Sequence, residues 1–438
     1  MVQSGRKVVL REWERREAPA TPELCDLWLE EDAVSKRLRA GNLLHVRDNR
    51  KGTVLEARQH VGVLQLGPLQ VVIQPKLPPD DLWYILAYGL GLDSLAWRAP
   101  TELLLQEASF ADLLALALLT EAETLWRRGP RRGYPMREEW LASPRGKLHM
   151  ARLAASAPLT KAALPCVHHP LSADTLENRV VRAGLRLASQ VAHTPPIRAM
   201  LAQAERRWGE MCGPLRLQAL HLRQVKQART RLTAAYAPAH QLVTLLYGGM
   251  GLPDDLEKVG PKGARLPGFL WDMASLFERF VSRLLEEHAH GVAVHRQRSQ
   301  KQLYRIISAE PGMTPSPPRP RPDLIIERNQ QVVAVLDTKY RDLGREGLPR
   351  DMLYQLSVYS VAYASEAGAS PPPPVIALYP QQDGPRADIT YGFRHGSRGG
   401  EGHIILRAID WSSASRALRE PQRHAELPLI TAAWLRAE

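Results

Sequence analysis

Between about Lys7 and Pro75 the apolar positions come in short runs divided by turn residues. "VLEARQHVGVLQLGPLQVVIQPKL" holds runs rich in Val, Leu and Ile, with "LGPLQ" as the turn between two of them, a pattern that predicts strands. The period then lengthens. "DDLWYILAYGLG", "TELLLQEASFADLLALALLTEAETLW", "ADTLENRVVRAGLRLASQVA" and "QLVTLLYGG" repeat apolar residues at helical spacing, so the middle third reads as helical. A Gly/Pro/Lys segment, "GPKGARLPG" from Gly260, marks the next boundary, after which helix and strand signals alternate. The segment "FLWDMASLFERFVSRLLEEHAH" predicts a helix, "DLIIE" and "VVAVLDTKY" strands, "DMLYQLSVYSVAYASEAG" a helix, and "PPPPVIALYP" and "EGHIILRAIDW" further strands. Such alternation implies a central sheet flanked by helices. The proline-rich "PGMTPSPPRPRP" is expected to be an exposed loop, because prolines cannot donate to a ladder.

The expected fold class is therefore α+β and multidomain: a β-rich N-terminal domain over 1–98, a helical middle region over 99–262 and a C-terminal α/β domain over 263–438. A length of 438 residues agrees with two or three cores.

Charge narrows the partners. Lys and Arg number 58 against 46 Asp and Glu, a net +12 that favours a polyanion such as nucleic acid. The three cysteines, Cys25, Cys166 and Cys212, are odd in number and far apart, which fits a reducing cytoplasm better than a disulfide framework. The charged start lacks the apolar core of a signal peptide. The most apolar tract contains Glu121 and Glu123 and is too polar to span a bilayer. A soluble cytoplasmic protein without membrane association is expected.

The chemistry concentrates where "VVAVLDTKY" ends. Residues two apart in a strand share a face, so Asp337 and Lys339 point one way and Thr338 the other. A hairpin loop of odd length centred near Gln330 would set Asp323 opposite Asp337. Two facing carboxylates repel unless a cation lies between them, and hard oxygen ligands select Mg²⁺ or Mn²⁺ over zinc. Such a metal acidifies a bound water and stabilises charge on a phosphoryl oxygen, while Lys339 neutralises developing negative charge. Glu278 lies within a mostly apolar stripe of the preceding helix, at the edge of water or in the metal site. Gln355 and Tyr359, four apart on the next helix, share a face. Each piece alone has a bland reading: a strand-end ion pair, a surface acid, a packing pair. Their order along suitable elements gives them joint weight.

"RPDLIIE…VVAVLDTKY" resembles the PD-(D/E)xK nuclease motif with Asp in the second acidic position, and "QLSVY" resembles the QxxxY element of its RecB-like branch. More narrowly, "FLWDMASLFERFV", "LDTKY" and "YQLSVYSVAYA" resemble the McrC family, the nuclease subunit of McrBC-type, modification-dependent restriction systems. "ARQHVGVLQLGPLQVVIQPKL", "GYPMREEWLASPRGKL" and "LSADTLENRVV" extend the resemblance upstream over most of the chain. It implies a C-terminal restriction-endonuclease-like domain in which Asp323 and Asp337 hold the metal and Lys339 serves the hydrolytic water. Glu278, Gln355 and Tyr359 match the flanking helices. It also implies DNA as substrate, paired nuclease domains and a McrB-like AAA+ GTPase as partner. The chain itself has no G-x-x-x-x-G-K-[ST]. The alternatives are a regulatory adaptor that docks on an AAA+ ring and DNA without cutting, and a stand-alone RecB-like repair nuclease.

Other candidates are weaker. Arg127, Arg128, Arg131 and Arg132 lie beside Trp126 and Tyr134 and could meet phosphates, or simply be solvated. Cys166, His168 and His169 lack a second ligand pair at zinc spacing. His288 and His290 end a helix, where imidazolium suits the dipole. Arg47, Arg50, Lys51, Arg58 and Lys76 are basic groups available to the partner that the resemblance implies.

Overall fold

The computed structural model describes residues 6–92, 109–155, 163–249, 268–299, 303–304, 306–308, 316–317, 319–364, 372–381, 386–395 and 400–436. The chain divides into two units, Met1–Gln74 with Pro100–Trp271 and Pro75–Ala99 with Asp272–Glu438. The boundaries expected at 98/99 and 262/263, and most of "GPKGARLPG", lie outside the described residues, as does much of the proline-rich segment.

The first unit opens with strands β1 (Arg6–Arg11) and β2 (Arg15–Glu17), helix α1 (Ala33–Ala40), and strands β3 (Leu44–Asn49), β4 (Gly52–Ala57), β5 (His60–Leu66) and β6 (Leu69–Gln74). Asp32 starts α1 by accepting from the N–H groups of Val34 and Ser35, which satisfies two donors with no partner inside the helix. β2, β4 and β3 form one small sheet. Leu24, Leu38, Leu44, Leu55 and Leu69 are among the fully buried residues of the core beneath it. The next helix, α2 (Pro79–Gly89), belongs to the second unit.

The first unit resumes with α3 (Phe110–Arg128), β7 (Arg137–Leu141), β8 (Lys147–Leu148), α4 (Met150–Ala155), β9 (Leu164–His168), α5 (Leu176–Val191), α6 (Pro195–Gly209), α7 (Ala219–Gln227) and α8 (Ala237–Gly249). A reciprocal capping box between Ser109 and Asp112 starts α3. The middle region is thus not wholly helical, because β7, β9 and β8 form a sheet of their own. These strands are short, and the first opens with three charged residues, Arg137, Glu138 and Glu139, so no sustained apolar pattern marks them in the sequence.

Strand β10 (Gly268–Asp272) closes the unit in a sheet of order β1-β6-β5-β10. The helix expected to begin at Phe269 instead begins at Met273. Phe269, Leu270 and Trp271 are buried as strand residues, and Asp272 caps the helix by accepting from the Ala274 N–H. Two glycines allow β5 and β10 to approach: Gly62 has φ +142°, and a Cβ there would lie 2.0 Å from the Phe269 carbonyl oxygen. At Gly268, φ +153°, a Cβ would lie 2.2 Å from the Val63 carbonyl oxygen.

The second unit comprises α2 with α9 (Met273–His288), β11 (Ala293–Arg296), β12 (Leu324–Arg328), β13 (Gln331–Thr338), α10 (Leu343–Glu346), α11 (Arg350–Ala364), β14 (Val375–Pro380), β15 (Ile389–His395), β16 (Gly400–Ile409), α12 (Trp411–Arg419) and α13 (Leu427–Leu435). Its mixed sheet has the order β11-β12-β13-β14-β16-β15, with β13–β14 and β14–β16 parallel. Alternate residues of the buried strands face opposite sides. Val335, Val375, Ala377 and Leu406 meet Leu356, Tyr359 and Tyr363 of α11. α9 packs on β11 and β13 and on α2, and Phe277 stacks edge-on to Trp411 at 5.1 Å. The overall class is the expected mixed α+β multidomain architecture.

Candidate active site

The hairpin of β12 and β13 sets the centre. Leu324 pairs with Leu336, Ile325 with Val335 and Ile326 with Ala334; the register then shifts, and Glu327 pairs with Val332 and Arg328 with Gln331. The turn is two residues, Asn329 and Gln330, with φ of +51° and +64°, the left-handed pair that a tight hairpin turn requires. The expected odd-length loop is therefore corrected: the loop is even, and a bulge between Ile326 and Glu327 supplies the one-residue offset. Continued one step past Leu324 and Leu336, this register brings Asp323 beside Asp337.

Asp323 lies just outside β12, free of its pleat, and one carboxylate oxygen accepts from both the N–H and the hydroxyl of Thr338, each at 2.7 Å. The Thr338 hydroxyl, expected to face away from the acids, reaches Asp323 because that side chain turns across the strand end.

Asp337 is 2% exposed. Its Oδ2 meets the Lys339 ammonium at 2.5 Å as an ion pair, and beyond that pair it has no hydrogen-bond partner among the described residues. Burial lifts its pKa to about 6, Lys339 opposes that rise, and Asp323 and Glu278 add to it. Lys339 extends the parallel ladder by donating its backbone N–H to the Leu378 carbonyl at 2.8 Å, which aims its side chain back over the acids.

Glu278 projects from α9, half-buried, and accepts from Gln297 Nε2 at 3.1 Å. Its pKa is raised, first by burial and then by Asp323, against the hydrogen bond from Gln297. From Gln297 the network continues around the site. Arg321 Nη2 donates to Gln297 Oε1 at 2.5 Å, and the Tyr359 hydroxyl donates to the Arg321 carbonyl at 3.3 Å. Gln355 Nε2 donates to the Tyr359 oxygen at 3.0 Å, and Lys339 Nζ donates to Gln355 Oε1 at 3.4 Å. Burial, with Asp337 and Asp323 nearby, pushes the Tyr359 phenol to about 12, so it stays protonated as a donor.

The structure thus brings Glu278, Asp323, Asp337, Lys339, Gln355 and Tyr359 into one neighbourhood. It adds Thr338, Gln297 and Arg321, which the sequence reading missed. Arg321 stands within the quoted "RPD" run and could have been noticed there. Gln297 carries no local signal; its φ of +46° belongs to a turn set by its tertiary contacts.

Among the described residues no three His, Cys, Asp or Glu side chains stand in a ready-made metal cage. The donor set still suits a hard divalent cation: a buried carboxylate oxygen with no hydrogen bond beyond its ion pair with Lys339, and two further acids, Asp323 and Glu278, close enough to help raise the pKa of Asp337.

Elsewhere, Arg131 is committed to structure, paired with Glu177 and with its backbone N–H held by the Tyr236 hydroxyl at 2.8 Å. Arg127 donates to the carbonyl of Glu123 in its own helix, and Arg128 and Arg132 are exposed. Cys166 is buried and His168 lies 3.3 Å from Glu139. Burial lowers the pKa of His288, so it favours the neutral form over the imidazolium expected at a helix end. None of the described helices is long and apolar enough to cross a membrane.

A family model described as "McrBC 5-methylcytosine restriction system component" matches residues 55–380, well over half of the chain and all six candidate residues. The chain belongs to this McrBC family. Its membership agrees with the resemblance carried by "LDTKY" and "YQLSVYSVAYA". The fold of this McrBC family member is similar to that of a chain in a structure described as a refined half-complex from a tetradecameric assembly of Thermococcus gammatolerans McrB AAA+ hexamers with bound McrC. The TM-score is 0.57 at 19% identity, over 96% of this chain and 100% of that one. A second structure, described as the Thermococcus gammatolerans McrBC complex, gives a TM-score of 0.44 at 19% identity, over 64% of this chain and 88% of that one. A comparison with curated proteins found no match.

Proposed function

We propose that this McrBC family member is a metal-dependent DNA endonuclease subunit of a modification-dependent restriction system. It hydrolyses phosphodiester bonds in the cytoplasm, in concert with a McrB-like AAA+ GTPase. The observation that carries this reading is the buried Asp337 beside Lys339, with Asp323 and Glu278 close enough to raise its pKa.

Asp323, Asp337 and Glu278 would hold Mg²⁺ or Mn²⁺, which when bound supplies an acidified water and charge neutralisation at the phosphoryl group. Asp337 and Gln355 hold the Lys339 ammonium in place, where it steadies the attacking water and offsets charge developing on the phosphate. Tyr359 fixes Gln355, and through Arg321 and Gln297 the same chain of hydrogen bonds steadies Glu278. Because cutting a duplex requires two hydrolyses, nuclease domains act in pairs on DNA. The McrB hexamers in the similar assembly support an AAA+ ring as partner.

The test uses the full chain with a candidate GTPase partner on methylated and unmethylated plasmid, with and without Mg²⁺. Metal-dependent cleavage of the methylated plasmid, lost in Asp337→Ala and Lys339→Ala, supports the reading. Cleavage that survives both substitutions sinks it. DNA-stimulated GTPase with no cleavage from the wild type points to the adaptor.

A further inference from the structure

Among the described residues many arginines are answered by an acid, as in Arg182 with Glu205, Arg283 with Glu287 and Arg407 with Asp388. One stretch of the first unit is basic and holds no acid of its own. Between Glu210 and Asp254 the sequence contains no Asp or Glu, yet it carries Arg216, Arg223, Lys226, Arg229 and Arg231. All five are exposed, and among the described residues none forms an ion pair. The adjoining acids are already engaged. Asp174 is bound by Arg179 and Arg137, and Glu177 by Arg131.

These cations are held in place. Leu222 and Val225 are buried and seat α7 against α5 and α8, which turns Arg223 and Lys226, neighbours at i and i+3, to the outside. The turn that follows is tied by Thr233: its hydroxyl accepts from the Thr230 N–H at 2.8 Å, and its own N–H donates to the Thr230 carbonyl at 3.1 Å. Arg229 and Arg231 are therefore presented from an ordered turn. Uncompensated cations on a rigid surface repel one another, and a polyanion relieves that repulsion while releasing its own counterions.

We infer that α7 and the turn after it form a docking surface for the DNA phosphate backbone, on the unit that does not contain the acid cluster. The inference rests on the proposed nuclease reading for the identity of the polyanion. This strip also fits the role better than Arg127 and Arg131, which have partners within the protein. A contact of this kind recognises backbone charge and carries no base sequence.

The test measures affinity of the full chain for a short labelled DNA duplex in EDTA, where cleavage is absent. Each phosphate contact contributes about 0.9 to the slope of log affinity against log salt. Replacing Arg223, Lys226, Arg229 and Arg231 together by Gln is expected to flatten that slope by about 3.6 and weaken binding at least ~10-fold at moderate salt. Arg223→Lys with Arg229→Lys and Arg231→Lys keeps the charge and is expected to keep the slope. An unchanged slope in the Gln variant, a loss in the Lys variant, or wild-type protein with no salt-dependent DNA affinity overturns the inference. Cleavage by wild type and Asp337→Ala, assayed separately, reports on the nuclease reading: salt-dependent binding without cleavage leaves the surface standing and removes the nuclease.

Discussion

The side-chain amide of Gln297 donates to Glu278 at 3.1 Å, while its backbone N–H donates to the Asp323 carbonyl at 2.8 Å. One residue thus ties an acid of α9 to the start of the hairpin. The bond to Glu278 lowers a pKa that burial and Asp323 raise. Gln297→Ala is therefore expected to raise the Glu278 pKa further, so that the acid limb of the cleavage rate moves to higher pH. The pH profile of single-turnover cleavage checks this; a uniform loss of rate with an unmoved limb would mean that Gln297 serves the fold alone.

Asp337 makes stability depend on pH. Its folded pKa of about 6 lies above the ordinary 3.8, so the folded state holds the proton more tightly. The stability this gives is full below about pH 4 and is lost as pH rises through about 6, amounting to roughly 2–3 kcal/mol. Asp337→Asn is expected to remove that pH dependence. Thermal midpoints of both proteins across the interval provide the measurement.

Mg²⁺ is expected to stabilise the folded protein without any DNA present. At a concentration about 100-fold above the dissociation constant, the gain is near 2.7 kcal/mol. The midpoint shift should be much smaller in Asp337→Asn, and equal shifts in both would place the ion elsewhere.

Lys339→Gln removes the ammonium while keeping a polar side chain. Cleavage is expected to fall by about 10²–10⁴, the range typical of a positioned proton-transfer or charge-stabilising group. DNA affinity in EDTA should stay within a few-fold of wild type.

Gly62→Ala tests the crossing of β5 and β10. With the new Cβ 2.0 Å from the Phe269 carbonyl oxygen and a φ of +142°, the strands cannot keep their spacing. A loss of about 3 kcal/mol or more is expected, seen as a lower thermal midpoint or insoluble protein.

Much of this arrangement was legible because local pattern and tertiary role coincide. The alternation around Gly67 and Pro68, the helical stripes of α5 and α11, and the Asp323, Asp337 and Lys339 spacing all follow from residues near one another in sequence. Where a long-range partner decides the outcome, the pattern was silent. Phe269, Leu270 and Trp271 are apolar enough for either a helix or a buried strand, and pairing with β5 selects the strand. The bulge at Ile326 replaces the odd loop because the left-handed turn at Asn329 and Gln330 accommodates only two residues. Gln297 enters the site through contacts with Asp323, Glu278 and Arg321, none adjacent to it in the chain.

The path of α2 has a practical consequence. Leu82, Trp83, Ile85 and Leu86 are buried in it, and it packs on α9 although first-unit sequence stands on either side. A fragment starting at Asp272 would keep every acid of the site yet strip α9 of this cover, leaving the Leu276 and Phe280 side that meets Gly89 open to water. Excising the acid-bearing half thus calls for a graft of residues 75–92. During synthesis, α2 must wait nearly two hundred residues for its mate, leaving a greasy helix for chaperones to shelter.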